Sequence, residues 1–385
     1  MNKIYEKHDS FISLKGKYSE DYQIFLKKLN FILKNSDIEK FSSQEKKIIN
    51  NIKDDILSDN NLKEEDNLNR FSIKQNVIDE IKTIDDSDLL RYLIHRYRYE
   101  IFPQKKILDD YPPYLQIEPS SVCNYRCVFC FMTDNTFNKK SSGHMGHMKL
   151  ELFKEIIDQI EGKIEFLSLA SRGEPMINPK ISEMLNYTVG KFLNLKINTN
   201  ASLLNEEKIH SILSGGVKTL VISADAADKN LYKKLRVNGE LDKVLKNLEL
   251  FNEIKEKKYS NSKIITRVSG VKFSDDQKFD DMKSFWGGLV DQVAFVDYNP
   301  LENNYEKEKN NISKPCSDLW RRMFIWWDGK INPCDVDYKS NLSVGVFPQQ
   351  SIEDLWNSTF YSKYRKLHLE KKRIDLVPCG SCSVV

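Results

Sequence analysis

The stretch Tyr114-Leu-Gln-Ile-Glu-Pro-Ser-Ser-Val-Cys123-Asn-Tyr-Arg-Cys127-Val-Phe-Cys130 decides how this chain folds. Its opening, Tyr114 to Ile117, reads as a strand. The pair Pro112-Pro113 just before it stops any preceding helix. Three cysteines then follow at intervals of three and two residues, so one short loop gathers three thiols. Three thiolates are one too few for a closed tetrahedral zinc site. They are also one too few to saturate a four-iron cubane, so a cluster held this way keeps one iron open to another ligand.

The chain has seven cysteines, and the other four are Cys316, Cys334, Cys379 and Cys382. Seventeen, forty-four and two residues separate them in turn. Four thiolates close a site, either as a structural zinc or as a second cluster. The terminal Cys-x-x-Cys is common in zinc modules, so zinc stays open on these residues alone. A disulfide framework is not expected in a long, cysteine-poor chain without an apolar leader.

From Tyr114 onward, strands alternate with helices. The strand-like runs are 114–117, 164–169, 195–199, 219–223, 264–268 and 292–296. Helical patterns fill 150–160, 181–192, 206–213, 241–254 and 279–286. Six β/α repeats predict an α/β fold, a parallel sheet curling into a partial (β/α)6 barrel. Residues 301–385 do not supply the two further units of a closed eightfold barrel. Functional groups of such sheets gather at the C-terminal ends of the strands, and the cysteine loop follows the first of them.

Residues 1–110 form a helical accessory region, with one Gly, one Pro and no Cys. Apolar residues in 22–33 and 77–101 recur at helical spacing, and the charged stretch 42–69 reads as a loose linker. The expected domains are therefore 1–110, a barrel over 111–300 and a cysteine-bearing module over 301–385. In that module 301–314 reads as a linker or exposed loop. Residues 323–332 read as a hairpin turning at Asp328-Gly329, and Ser351 caps a helix leading to Cys379. Net charge is +3, with 59 basic and 56 acidic residues, so no field points to nucleic acid or to a membrane surface. No apolar run is long enough to span a bilayer, and a cytoplasmic location is expected.

The cysteine spacing resembles the signature of the radical SAM superfamily. Ser171-Arg-Gly173-Glu174-Pro175, at the end of the second strand, resembles that family's Gly-Glu-Pro motif. The resemblance implies a 4Fe–4S cluster on Cys123, Cys127 and Cys130, whose open iron chelates S-adenosylmethionine. Reductive cleavage of that cofactor releases a 5′-deoxyadenosyl radical that abstracts a substrate hydrogen atom. It further implies that Glu174 and nearby backbone receive the cofactor's amino group, that Asn198 and Asn200 meet its ribose, and that Arg236 meets its carboxylate. Phe129 would lie near the adenine and Ser223 at the end of the fourth strand.

The last seventy residues resemble a twitch or SPASM-type auxiliary-cluster domain, in its single-cluster form. Their cysteine arrangement is similar to that of 2-deoxy-scyllo-inosamine dehydrogenases, which oxidise a secondary alcohol on an aminocyclitol. This implies a second 4Fe–4S cluster as electron acceptor, and a sugar or cyclitol as substrate. The alternative is a maturase acting on a ribosomally made peptide. A reductant such as flavodoxin or ferredoxin is the expected partner. Asp297 and Tyr298 end the sixth strand and are candidates for handling a proton. His144 and His147 lie in a Ser-Ser-Gly-containing loop that reads as flexible. Anaerobic reconstitution is expected to give about eight irons per chain with matching sulfide. Zinc without iron would remove the whole reading.

Overall fold

In this computed structural model, residues 11–14, 17–57, 70–300 and 304–385 are described. The N-terminal region holds β1 (Phe11–Ser13) and four helices, α1 (Tyr18–Asn35), α2 (Ser43–Leu57), α3 (Gln75–Ile81) and α4 (Leu89–Lys105). Each helix turns one apolar stripe inward: Phe25, Leu29 and Ile32 on α1, and Ile48, Ile49 and Ile52 on α2.

Two expectations fail here. The stretch 42–69 is not a loose linker throughout, because 43–57 is α2. Its start carries a reciprocal cap, with the Glu45 N–H donating to Ser42 Oγ and the Ser42 N–H to Glu45 Oε2. The high charge lies on the outer face and masks the buried isoleucines. Residues 58–69 lie outside the described residues. The region is also not purely helical, since β1 adds antiparallel to the barrel's last strand.

The barrel begins with β2 (Tyr114–Ile117), followed by β3 (Arg126–Cys127) in the cysteine loop. Then come α5 (Leu150–Ile160), β4 (Phe166–Leu169), α6 (Ile181–Tyr187), β5 (Asn194–Thr199), α7 (Glu206–Ser214) and β6 (Val217–Ser223). After β6 lie α8 (Lys229–Leu235), β7 (Arg236–Val237), α9 (Leu241–Lys258), β8 (Ile265–Lys272), α10 (Phe279–Gly287) and β9 (Gln292–Asp297). The C-terminal part contributes β10 (Arg322–Ile325), β11 (Lys330–Asn332), β12 (Gly345–Val346), α11 (Ile352–Trp356) and α12 (Thr359–Leu369).

The main sheet runs β1-β9-β8-β6-β5-β4-β2-β10-β11-β12, with every neighbour from β9 to β10 parallel. The six β/α strands therefore sit side by side in chain order. Leu115, Ile117, Leu167, Leu169, Leu195 and Ile197 pack with the covering helices in one core. Alternation then turns Gln116, Ser168 and Asn198 to the inner face.

The hairpin of the 301–385 segment also joins the barrel sheet. β10 pairs parallel with β2, Arg322 opposite Tyr114 through Ile325 opposite Ile117. As the first strand, β2 has no earlier neighbour, and its open edge needs a partner. Nor is the segment before Lys314 simply exposed, since Asn304 and Asn310 are buried. The Asn310 N–H and side chain donate to the carbonyls of Gly380 and Cys382, anchoring the terminal loop.

The N-terminal helices share their core with Tyr114, Phe166 and Leu193, at the starting ends of β2, β4 and β5. Arg91 pairs with Glu165 at 2.8 Å, and Gln292 donates to Asp79 at 2.5 Å, again at strand starts. These helices thus close the end of the barrel opposite the cysteine loop. No helix of the described residues is long and apolar enough to cross a membrane. Leu93 is fully buried in that helical core. Leu93→Ala is expected to cost about 2–5 kcal/mol, read as a lower urea midpoint. An unchanged midpoint would mean that the cap is not part of the cooperative fold.

Candidate active site

The loop after β2 is pinned from several sides. The Glu174 N–H donates to the Val122 carbonyl at 2.9 Å, and the Val128 N–H donates to the Leu235 carbonyl at 3.0 Å. β3 pairs antiparallel with β7, setting Cys127 opposite Arg236. The sulfurs sit in a backbone N–H environment: Cys123 Sγ accepts from Tyr125 at 3.4 Å and Cys130 Sγ from Met132 at 3.5 Å. Burial pushes the Cys123 and Cys130 thiols up to about 12. It also raises Cys127, against the pull of the Arg236 guanidinium. A cationic metal centre bound at these sulfurs must therefore displace their protons.

Gly173 shows why the next motif has its composition. A Cβ there would stand 2.4 Å from the Ser120 carbonyl oxygen and 2.5 Å from backbone atoms of Ser121 and Val122. Only glycine lets this strand end lie against the cysteine loop. Glu174 is buried, and its carboxylate already accepts from Met176 N, Thr199 Oγ1 and Asn200 N at 3.1, 2.6 and 2.7 Å. Pro175 opens the short 3-10 turn that Glu174 caps. Ser171, with φ 143° and a buried hydroxyl lacking a partner, holds strained backbone beside these groups.

Arg236 is neither a surface charge nor alone. Its Nε lies 2.6 Å from Asp225 Oδ2, both side chains are buried, and Nη1 lies 3.9 Å from Cys127 Sγ. The guanidinium also stands 6.0 Å from the Phe129 ring, which packs on Phe273. Asp225 is braced in turn by the Val271 N–H at 2.6 Å.

The two asparagines separate. Asn200 spends its side chain within the protein, donating to Asn124 Oδ1 at 2.9 Å and accepting from Ser202. Asn198 Oδ1 is buried with no hydrogen-bond partner, as is Ser168 Oγ on the adjacent strand. Ser223 ends β6 half-buried. Asp297 is exposed and paired with Lys272 at 3.6 Å, on the parity of core-facing Val293 and Phe295, so it points away from the bore. Tyr298 packs edge-on against Phe273 at 5.0 Å. The His144–His147 loop is held by specific contacts. Gly146 is tied to Ser121 in both directions, and His144 stacks on Phe137. Among the described residues no group of three or more His, Cys, Asp or Glu is placed to hold a single metal ion.

One buried pair escaped the sequence reading. Glu118 Oε1 accepts from Arg172 Nε at 2.7 Å, and Oε2 from Arg172 Nη2 at 2.5 Å. Arg172 Nη1 then donates to the Tyr338 carbonyl at 2.8 Å, and the Trp327 N–H donates to Glu118 at 3.2 Å. Arg172 lies inside the quoted Gly-Glu-Pro stretch, but its partner, fifty-four residues earlier, had no local signal.

Cys316, Cys334, Cys379 and Cys382 line one cavity of about 30 Å³. Cys316 precedes a 3-10 turn, Cys334 follows β11, and the last two lie in the terminal loop. Arg373, buried beneath that loop, donates to the carbonyls of Cys379, Cys382 and Val384. Burial pushes the Cys334 and Cys379 thiols well up, each reinforced by neighbouring cysteines. His368 also lines the cavity, and burial takes its imidazole down to about 3, so it is neutral.

Two family profiles match the chain: the radical SAM superfamily over residues 117–283, and the SPASM iron–sulfur cluster-binding domain over 316–383. The second span opens on Cys316 and closes just after Cys382. The chain is 26% identical over 220 residues to a GTP 3′,8-cyclase of Clostridium botulinum, covering 54% of this chain and 64% of the cyclase. It thus spans under two thirds of that relative. It is 22% identical over 276 residues to the S-adenosyl-L-methionine-dependent 2-deoxy-scyllo-inosamine dehydrogenase of Niallia circulans, covering 70% of this chain and 92% of that one. Streptococcus suis SuiB, solved with the precursor peptide SuiA, shares the fold with TM-score 0.54 and 17% identity, over 80% of this chain and 74% of SuiB. Gly173→Ala is expected to leave about four irons, those of the C-terminal cysteines. Full iron content would mean that the cysteine loop tolerates the added methyl group.

Proposed function

From the premise that this chain belongs to the radical SAM superfamily and carries a C-terminal SPASM domain, we propose a specific division of labour among its residues. Cys123, Cys127 and Cys130 hold the 4Fe–4S cluster that binds S-adenosylmethionine. Cys316, Cys334, Cys379 and Cys382 hold a single auxiliary 4Fe–4S cluster. The residues suit these groups: three thiols share one pinned loop, and four line one buried cavity. When bound, the cofactors supply the one-electron chemistry, and the protein binds, orients and shields.

Asp225 holds Arg236 through Nε, leaving the outer edge of the guanidinium for the cofactor's carboxylate. Glu174 retains acceptor capacity for its ammonium group beyond the internal hydrogen bonds. Of the two asparagines, Asn198 is the one left to meet a ligand, because Asn200 is committed internally. Phe129 and Ser223 complete the contacts proposed near the cofactor. Tyr298 remains a candidate near the barrel mouth, whereas the direction of Asp297 removes the ground for its proposed role.

The enzyme carries out redox chemistry. Our finer reading is two-electron oxidation of a hydroxylated small molecule, a sugar or cyclitol. The substrate carbinol loses a hydrogen atom from carbon, a proton from oxygen and one further electron, and becomes a ketone. The auxiliary site would hold the acceptor of that electron. The observation that carries this reading is the polar inner face of the barrel, where Ser168 Oγ, on the strand beside the Asn198 given to the cofactor, is buried without a partner among the described residues. Such an atom suits a ligand rich in hydroxyl groups. Similarity to the aminocyclitol dehydrogenase over most of its length agrees with it. A peptide substrate is less well supported, because the N-terminal helices pack at the far end of the barrel and do not flank the cysteine loop. A flavodoxin or ferredoxin in a reducing cytoplasm is the proposed electron source.

Incubation with candidate alcohols deuterated at the carbinol carbon tests the reading. Deuterium is expected in 5′-deoxyadenosine, with stoichiometric ketone. Transfer from a peptide instead would overturn it. The Cys379→Ala/Cys382→Ala variant is expected to lose ketone formation by at least about 100-fold while still cleaving S-adenosylmethionine. Wild-type turnover in that variant would sink the auxiliary role.

A further inference from the structure

His368 lies on α12, one turn beyond Tyr364, and both face the cavity that the four C-terminal cysteines line. Its side chain is fully buried. Nδ1 accepts a hydrogen bond from the Cys316 backbone N–H at 3.1 Å. That bond uses the Nδ1 lone pair, so the neutral ring carries its proton on Nε2. Nε2 is buried and has no hydrogen-bond partner among the described residues. A buried N–H without an acceptor is costly, and nothing else among the described residues accounts for this one.

We propose that His368 is a positioning and tuning residue whose Nε2–H donates a hydrogen bond to a sulfur of the auxiliary cluster. The inference rests on the assignment of that cluster to Cys316, Cys334, Cys379 and Cys382. The imidazole is not a ligand, because coordination through Nε2 would require loss of the proton that Nδ1 cannot carry. One nitrogen fixes the backbone of Cys316, and the other would be left to meet a sulfur of the group the four cysteines hold. A donor aimed at a sulfur stabilises the more negative, reduced state and raises the reduction potential. An acceptor of a substrate-derived electron benefits from that direction of shift.

Two substitutions separate the nitrogens. His368→Asn keeps a group at the Nδ1 position for the Cys316 N–H and removes the donor at Nε2. His368→Gln places an amide donor where Nε2 was. Both are made in the full chain carrying Cys123→Ala, Cys127→Ala and Cys130→Ala, so that one cluster remains, and followed by EPR-monitored redox titration with iron and sulfide counts. The expected result is a lower potential for His368→Asn, with His368→Gln closer to the parent. Equal potentials at equal cluster content would overturn the role of His368 and leave the cluster assignment standing. Zinc or no iron in the parent would overturn both. Pulsed EPR on the otherwise unaltered full chain labelled with 15N-histidine gives an answer without altering His368. A histidine nitrogen coupling to the reduced auxiliary cluster is expected, and its absence would overturn the proposal.

Discussion

The buried Glu118–Arg172 pair is the interaction on which the site depends. Glu118 directly follows β2 and Arg172 follows β4, so the pair locks together the two strand ends that carry the cysteine loop and the Gly173-Glu174 turn. The same two side chains take a backbone N–H from Trp327 and give a hydrogen bond to the Tyr338 carbonyl. The Arg172 guanidinium lies over the Trp326 ring at 4.2 Å, with Phe137 on another side at 5.4 Å. Each guanidinium nitrogen therefore has an acceptor and each carboxylate oxygen takes two donors, which is the condition under which burying an ion pair is tolerable. Removing either partner alone would leave an uncompensated charge, at a cost of about 3–5 kcal/mol.

Around that pair the two cysteine sets become parts of one structure. Phe131, next to Cys130, stacks on Tyr338 at 4.9 Å, and Tyr338 lies four residues after Cys334. The Tyr338 hydroxyl donates to Asp134, which also pairs with Lys339, each at 2.7 Å. The added parallel strand β10 makes the connection rigid, because the hairpin leading to Cys334 is hydrogen-bonded directly to β2. The second cysteine set is thus fixed relative to the first by sheet, ion pair and aromatic stack together.

Much of this was legible in local pattern. The three-cysteine spacing, the six β/α units and the Ser351 cap are short-range features, and most of these elements form close to their expected bounds, although α6 ends at Tyr187 and β8 runs on to Lys272. The failures have two causes. Helix α2 was hidden because a charged outer face dominates composition while three isoleucines carry the packing. β1 and β10 were missed as barrel strands because their partners lie far away in sequence, at β9 and β2. His368 has a helical-face signal in Tyr361, Tyr364 and Arg365, yet nothing local ties it to Cys316, fifty-two residues earlier.

By itself, the sequence determined the chemistry this protein is equipped for, because thiol count and spacing limit which metal centres a loop can hold. It also determined the parallel β/α architecture, because side-chain periodicity reports which face of an element is buried. Tertiary structure alone decided which polar groups remain for ligands. Asn198 and Asn200 are indistinguishable two residues apart, and only their neighbours show one spent and the other unpaired. It likewise decided that Arg236 is a buried, oriented cation, since its charge acquires direction only from Asp225 and Cys127, brought beside it by the fold.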